Sequence, residues 1–175
     1  MPGGGPVSEV AFTGGRQLAV EPTTVEGVQL YRLPLYEDHR GKLTVGEFGT
    51  CLPFVPLRYF ITYQVPGSDV RGEHAHRECA QFLTCVKGAC TVMVDDGLHR
   101  AQFRLDDPRL GVLVPPMVWA AEYDHTDDSV LVVFASHHYD PQDYVRDYLE
   151  FVRGASERRS AGSRQGAPGP TPEPG

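Results

Sequence analysis

Short runs rich in Val, Ile, Leu, Tyr and Phe recur through the middle of the chain, separated by clusters of Gly, Pro and Asp. They fall at 28–33, 42–48, 57–65, 79–86, 89–95, 98–105, 110–114, 118–123 and 129–136. Many short runs at regular spacing, with turn residues between them, predict an all-β sandwich or barrel. Asp95-Asp96-Gly97 predicts a hairpin turn, because Asp and Gly tolerate the positive φ such turns demand, and Asp106-Asp107-Pro108 predicts the next reversal. Near the end the period changes. Tyr144, Tyr148 and Phe151 recur at near-helical spacing, Pro141 suits a first turn and Asp140 suits a cap. One short C-terminal helix is expected there, with its aromatics as a packing stripe.

Composition adds boundaries. Residues 1–24 are rich in Gly, Pro and Thr, and residues 154–175 in Gly, Ser, Pro and Arg with almost no large apolar residues, so both are expected to be disordered. That leaves one domain over 25–153 of the 175 residues, with no internal repeat and no second domain. The formal net charge is −7, and no run of Lys and Arg forms a face that could neutralise phosphates, which argues against nucleic acid as a partner. A small anionic ligand would need a local basic pocket. The N-terminal Met-Pro-Gly-Gly-Gly-Pro lacks a basic region followed by an apolar stretch, and no window reaches membrane-spanning length, so a cytoplasmic protein with no membrane contact is expected. Cys51, Cys79, Cys85 and Cys90 contain no Cys-x-x-Cys pair and are expected to be reduced and mostly buried. Cys79 and Cys85 share a parity that Cys90 does not.

The chemistry concentrates in Arg71-Gly72-Glu73-His74-Ala75-His76, at the mouth of an apolar run. Residues i and i+2 of a strand share a face, so both imidazoles can enter one cavity, where they could hold a metal or move a proton near neutral pH. His74-Ala75-His76, then Gln81 and Gly88, resembles the first motif of the cupin superfamily, the small jelly-roll barrels. The resemblance implies that metal-binding members add a glutamate and a third histidine to the pair. Here Gln81 stands at the glutamate position, and Ala120, after Gly111-Val-Leu-Val-Pro115-Pro116-Met-Val-Trp119, stands where the histidine is expected. An amide is a poor ligand and alanine is none, so no metal and no cofactor is expected unless His137, His138 or Glu78 supplies a further ligand.

Over residues 28–152 the chain resembles more closely the sugar 3,4-ketoisomerases, cupins acting on thymidine-diphosphate-linked 4-keto-6-deoxyhexoses. The carriers are Asp38-His39-Arg40-Gly41-Lys42-Leu43, Leu52-Pro53-Phe54, Arg71 to His76, Val94-Asp95-Asp96-Gly97, Val114-Pro115-Pro116-Met117-Val118-Trp119, Ala135-Ser136 and Tyr139-Asp140-Pro141-Gln142-Asp143-Tyr144. The resemblance implies a metal-free enzyme of deoxy- and aminosugar biosynthesis, a homodimer with exchanged N-terminal strands, and a dTDP-linked substrate. His74 would be the base at C3, with His76 shuttling or orienting, and Arg71 would meet the enediolate or the diphosphate.

Arg40 resembles a family position near the nucleotide, its other reading being a loop arginine. Arg58 is a candidate for substrate charge or a surface pair. Gln81, Trp119 and Tyr123 would line the cavity, with core packing as the other reading of each. A tyrosine usual in the family falls at Phe60, while Tyr59 has the opposite parity. Three alternatives stay open: a 3,5-epimerase, for which no aspartate partner to the histidine is evident; a sugar-binding cupin without turnover; and a metal oxygenase.

Overall fold

The structure, a computed structural model, describes the backbone of residues 18–165 and the side chains of 18–160. The strands are β1 (Ala19–Pro22), β2 (Gln29–Arg32), β3 (Leu35–Asp38), β4 (Gly41–Thr44), β5 (Arg58–Tyr63), β6 (Arg71–His76), β7 (Gln81–Lys87), β8 (Cys90–Asp95), β9 (Arg100–Leu105), β10 (Leu110–Val114), β11 (Trp119–Tyr123) and β12 (Val130–Ala135). A 3₁₀ turn at Pro141–Asp143, β13 (Tyr144–Val145) and the helix α1 (Tyr148–Gln165) complete the chain. One sheet has the order β1-β2-β10-β7-β12-β5, the other β13-β6-β11-β8-β9, and β3–β4 is a separate hairpin. The paired layers are the jelly roll of a cupin barrel.

Alternation dictates the layers. On β8, Cys90, Val92 and Val94 face inward, and on β7 Leu83 and Cys85 meet them together with Val112, Val114, Leu131 and Val133. Side chains such as Leu83, Val92 and Leu131 leave water completely, each worth about 1.5–3 kcal/mol relative to exposure. The chain crosses between the sheets at Gly88, where φ is +62° and a Cβ would lie 2.4 Å from Thr126 Oγ1, so only glycine fits. That crossing returns Cys90 to Cys85, and the two thiols interact in the core despite their opposite parity in the sequence. The Cys85 thiol is lowered to about 7, mainly by the hydrogen bond shared with Cys90, whose own thiol is raised. All four cysteines are free, and Cys79, Cys85 and Cys90 are buried.

A second apolar cluster lies outside the barrel, where Trp119, Ala75 and Val145 pack against Phe151 and Ala155 of the helix. Asp147 caps that helix by accepting from the Glu150 N–H at 2.8 Å. Tyr148 donates to Asp95 and Arg159 to the Asp96 carbonyl, which ties the helix to the β8–β9 hairpin.

The expected helix is therefore displaced. Asp140 does cap a turn starting at Pro141, but this is a single 3₁₀ turn, and Tyr144 lies on a strand paired with His76 rather than on the helix. The helix starts at Tyr148 and continues through residues 154–165, which were expected to be disordered, as was the whole of β1 within 1–24. Residues 1–17 and 166–175, the remainder of those two expected tails, lie outside the described residues.

Candidate active site

Strand β6 carries Arg71, Glu73, His74 and His76, and its facing is set by a bulge. Ala120 pairs with His74, Ala121 with Gly72 and Glu122 with Arg71, so Glu73 is the extra residue. Gly72 and Glu73 both take positive φ. A Cβ on Gly72 would lie 3.0 Å from the Ala120 carbonyl oxygen and 2.9 Å from a Glu122 oxygen, so glycine is required there. The bulge puts Arg71 on the same face as His74, although the two differ in parity.

His74 is half-buried and His76 is 5 % exposed. His74 Nδ1 donates to the Gly72 carbonyl at 2.9 Å, and His76 Nδ1 donates to the Asp143 carboxylate at 2.7 Å. Both partners accept only, so both Nδ1 atoms carry protons. The two Nε2 atoms then face each other 3.1 Å apart, and Gln81 Nε2 donates to His76 Nε2 at 3.0 Å. Between facing Nε2 lone pairs there is room for one proton, so the pair is either a neutral base or a monocation. Burial pushes both imidazoles below the ordinary histidine range, with the hydrogen bonds from each Nδ1 opposing it, so the neutral base form prevails near pH 7.

Asp143 completes the triad. Burial would raise its carboxyl, but the hydrogen bonds from the Glu78 N–H and from His76 together hold it below the usual range. Its Oδ1 accepts from Glu78 N–H at 2.8 Å, and its carbonyl accepts from Arg77 N–H at 2.8 Å. Nothing in the sequence reading pointed to this residue as a partner, although it lies in a quoted motif. Tyr144, next in the chain, is stacked against both imidazoles with ring centroids 4.9 and 4.4 Å away. Arg146 lies 4.5 Å over that tyrosine ring, and its charge disfavours protonation of His74. The Pro115-Pro116-Met117 turn holds the end of β6 through the Met117 N–H, which donates to the His76 carbonyl at 2.6 Å.

Arg58 pairs with Ala135 across β5–β12, and Ala135 with Gln81 across β12–β7, which puts Arg58 on the inner face in the row that reaches His76. Its charge also disfavours protonation of His76, and its buried Nε has no hydrogen-bond partner among the described residues. Phe60 follows it on the same face, and Tyr59 points outward, as parity requires.

Other expected site residues lie elsewhere. Trp119 faces away from the cavity and packs edge-on against Tyr148, with centroids 5.2 Å apart, so it is a core residue under the helix. Tyr123 shares that outer face and is half-buried near Arg100. Arg40 is exposed at the tip of β3–β4 and pairs with Asp38 at 2.6 Å; none of its contacts is with the histidines.

Glu122 is a second residue the sequence did not flag. It faces the interior two positions beyond Ala120, and burial raises its carboxyl to about 7 against the opposing charge of Arg71. Between the unfolded value of 4.5 and the folded value of about 7, the folded state holds the extra proton, so stability falls as pH rises through that window. Glu122→Gln is expected to remove the fall and to stabilise the protein at pH 8 by on the order of 3 kcal/mol. Urea midpoints at pH 5 and pH 8 check this. Parallel changes in variant and native chain would refute it.

Barrel and site together define a cupin whose cavity offers a histidine–histidine–carboxylate proton-transfer array. Residues 26–156 match the family model FdtA, described as WxcM-like, C-terminal, and the chain belongs to that family. It is 39 % identical over 116 residues, 66 % of this chain and 84 % of the relative, to the TDP-4-oxo-6-deoxy-alpha-D-glucose-3,4-oxoisomerase of Aneurinibacillus thermoaerophilus. A mutant of the 3,4-ketoisomerase QdtA from Thermoanaerobacterium thermosaccharolyticum, solved with TDP-4-keto-6-deoxyglucose, superposes with a TM-score of 0.74 at 30 % identity, over 77 % of this chain and 98 % of that one. A 3,4-ketoisomerase from Helicobacter canadensis gives 0.71 at 28 %, over 74 % and 98 %. Among the described residues no helix is long and apolar enough to cross a membrane.

Proposed function

We propose that this protein is a dTDP-4-keto-6-deoxyglucose 3,4-ketoisomerase that needs no metal. The observation that carries the reading is the facing pair of Nε2 atoms, backed by Asp143, inside a barrel whose relatives are named for this reaction. Moving a carbonyl from C4 to C3 takes the proton from C3 and returns one to C4, while the C3 hydroxyl loses its proton and the C4 oxygen gains one. No electrons leave the sugar. His74, the less buried of the pair, removes the C3 proton and gives an enediolate. His76 holds or relays the proton, and Asp143 offsets the charge that develops on the pair.

Arg58, with its unpartnered Nε, supports binding of the enediolate or the diphosphate, and Arg71 and Arg146 add positive charge on the same face and at the mouth. The amide of Gln81 and the methyl of Ala120, at positions where metal-binding cupins are expected to carry ligands, support an acid–base mechanism without a metal. A 3-keto product suits subsequent amination in aminosugar synthesis. A homodimer engaging the β3–β4 hairpin, where Tyr36 and Leu43 expose apolar surface, is part of this reading, and solution mass decides it; Arg40 reaching a partner's nucleotide is part of it as well.

The His76–Asp143 pair also favours a second reading, a 3,5-epimerase, because such enzymes use an aspartate to hold the histidine. Proton NMR of chelator-treated protein with the TDP-4-keto-6-deoxyglucose substrate in deuterium oxide separates the two. A 3-keto product with altered C3 and C4 protons, absent with His74→Ala, is expected. Label at C5 would move the assignment to the epimerase, and unchanged substrate with broadened lines would leave only a binder.

A further inference from the structure

Beside the catalytic pair, around His76, three different donors converge. A ring nitrogen of His76, Cys79 Sγ and a carboxylate oxygen of Asp143 lie within 4.8 Å of one another, and Asp143 meets the His76 ring at Nδ1. Cys79 and His76 are buried, and Asp143 is partly so. The three are held by one knot of backbone bonds. The connection from β6 to β7, which carries Cys79, is fastened to residue 143 through the Arg77 and Glu78 N–H groups and to Ser136 through Ala80, whose N–H donates to Ser136 Oγ at 2.8 Å. A pocket of about 440 Å³ lined in part by Glu78, His137, His138 and Asp143 leads from solvent to the carboxylate.

We propose that His76, Cys79 and Asp143 form an inhibitory site for Zn²⁺ or a similarly thiophilic divalent ion. One sulfur, one imidazole nitrogen and one carboxylate oxygen are a zinc donor set, with a fourth position left to water. Metal–ligand lengths of about 2.0–2.3 Å need ligand atoms roughly 3.5 Å apart in a tetrahedron, so the 2.7 Å His76–Asp143 hydrogen bond opens to admit the ion while the widest separation, at most 4.8 Å, closes. The site differs from the metal centre of other cupins, which would use the cavity face of the pair, where Gln81 and Ala120 stand.

Coordination has a definite consequence for the reaction. The ion takes the Nδ1 lone pair, the proton there moves to Nε2, and the Cys79 thiol releases its proton to solvent. His76 then presents an N–H to His74 and can no longer accept a proton, so the relay stops. Inhibition, though not metal binding, rests on the ketoisomerase reading.

The test titrates Co²⁺ and Zn²⁺ into chelator-treated full-length protein. Co²⁺ is expected to give thiolate-to-cobalt charge-transfer absorption that Zn²⁺ abolishes, and Zn²⁺ to slow turnover until chelator restores it. Cys79→Ser is expected to keep its zinc-free turnover, lose the cobalt band, and need at least roughly tenfold more Zn²⁺ for the same inhibition. No thiolate band in the native chain, or a band and zinc sensitivity unchanged in Cys79→Ser, would overturn the proposal. The cobalt band needs no turnover, so protein that shows it yet fails to isomerise supports the metal site and counts only against the functional reading.

Discussion

Replacing His74 by alanine is expected to lower kcat by about 10²- to 10⁴-fold, the range a positioned general base contributes, while leaving the fold intact. The side chain is half-buried at the barrel mouth and its polar contacts are the Gly72 carbonyl and His76, so its loss leaves a small wet gap rather than a hole in the core. The native rate should fall as the pH drops below the ordinary imidazole range, because burial holds both histidines neutral to lower pH than usual and the facing nitrogens act as base only when unprotonated. The variant should lose that limb, and added imidazole should restore part of the rate. Initial rates by NMR across pH 5–8, with circular dichroism to confirm folding, check both points. A variant that keeps the native rate would remove His74 from the proton path.

The barrel was legible because its core strands are apolar on their inner faces: Cys90-Val92-Val94 and Leu131-Val133 announce themselves. Strand β6 was not counted among the apolar runs, since Arg71, His74 and His76 present chemistry to the cavity instead of packing. The short strands β1, β3 and β13 were missed for a related reason, being at most four residues long and carried by neighbours rather than by their own pattern. The histidine pair was legible from two-residue spacing. Asp143 was not, because it lies 67 positions from His76 and reaches it through the β13–β6 pairing, which no local period encodes.

Other side chains expected in the cavity do not reach it. Trp119 and Tyr123 sit in the right strand but on its outer face, and the deciding fact is that Ala120 and Glu122 take the inner one. Arg71 reached the inner face only because the bulge at Glu73 shifts the register, a signal faintly present in Gly72. Ala120 had been read as a lost ligand and Glu122 had not been read at all. Yet the two share one face, so the barrel keeps a buried carboxyl in the interior after giving up the histidine position.

Asp143→Asn tests whether the carboxylate positions the relay, and its expected effect is as large as that of His74→Ala. The amide keeps the size of the carboxylate and can still accept from the Glu78 N–H through its oxygen. Its NH₂ then faces His76 Nδ1 and donates to it, which drives the imidazole proton to Nε2. In that tautomer His76 offers an N–H to the His74 Nε2 lone pair 3.1 Å away, so the base at C3 is occupied and the relay runs backwards. Tautomer reversal behind a histidine base costs up to about 10⁴-fold in kcat; here about 10²- to 10⁴-fold is expected, with KM little changed because Asp143 need not touch the sugar. A purely structural role would lower stability and leave the tautomer alone. The nitrogen chemical shifts of His76 therefore decide between them, with Nδ1 protonated in the native chain and Nε2 protonated in Asp143→Asn. A native kcat in the variant, or an unchanged tautomer with a lowered kcat, would remove Asp143 from this role.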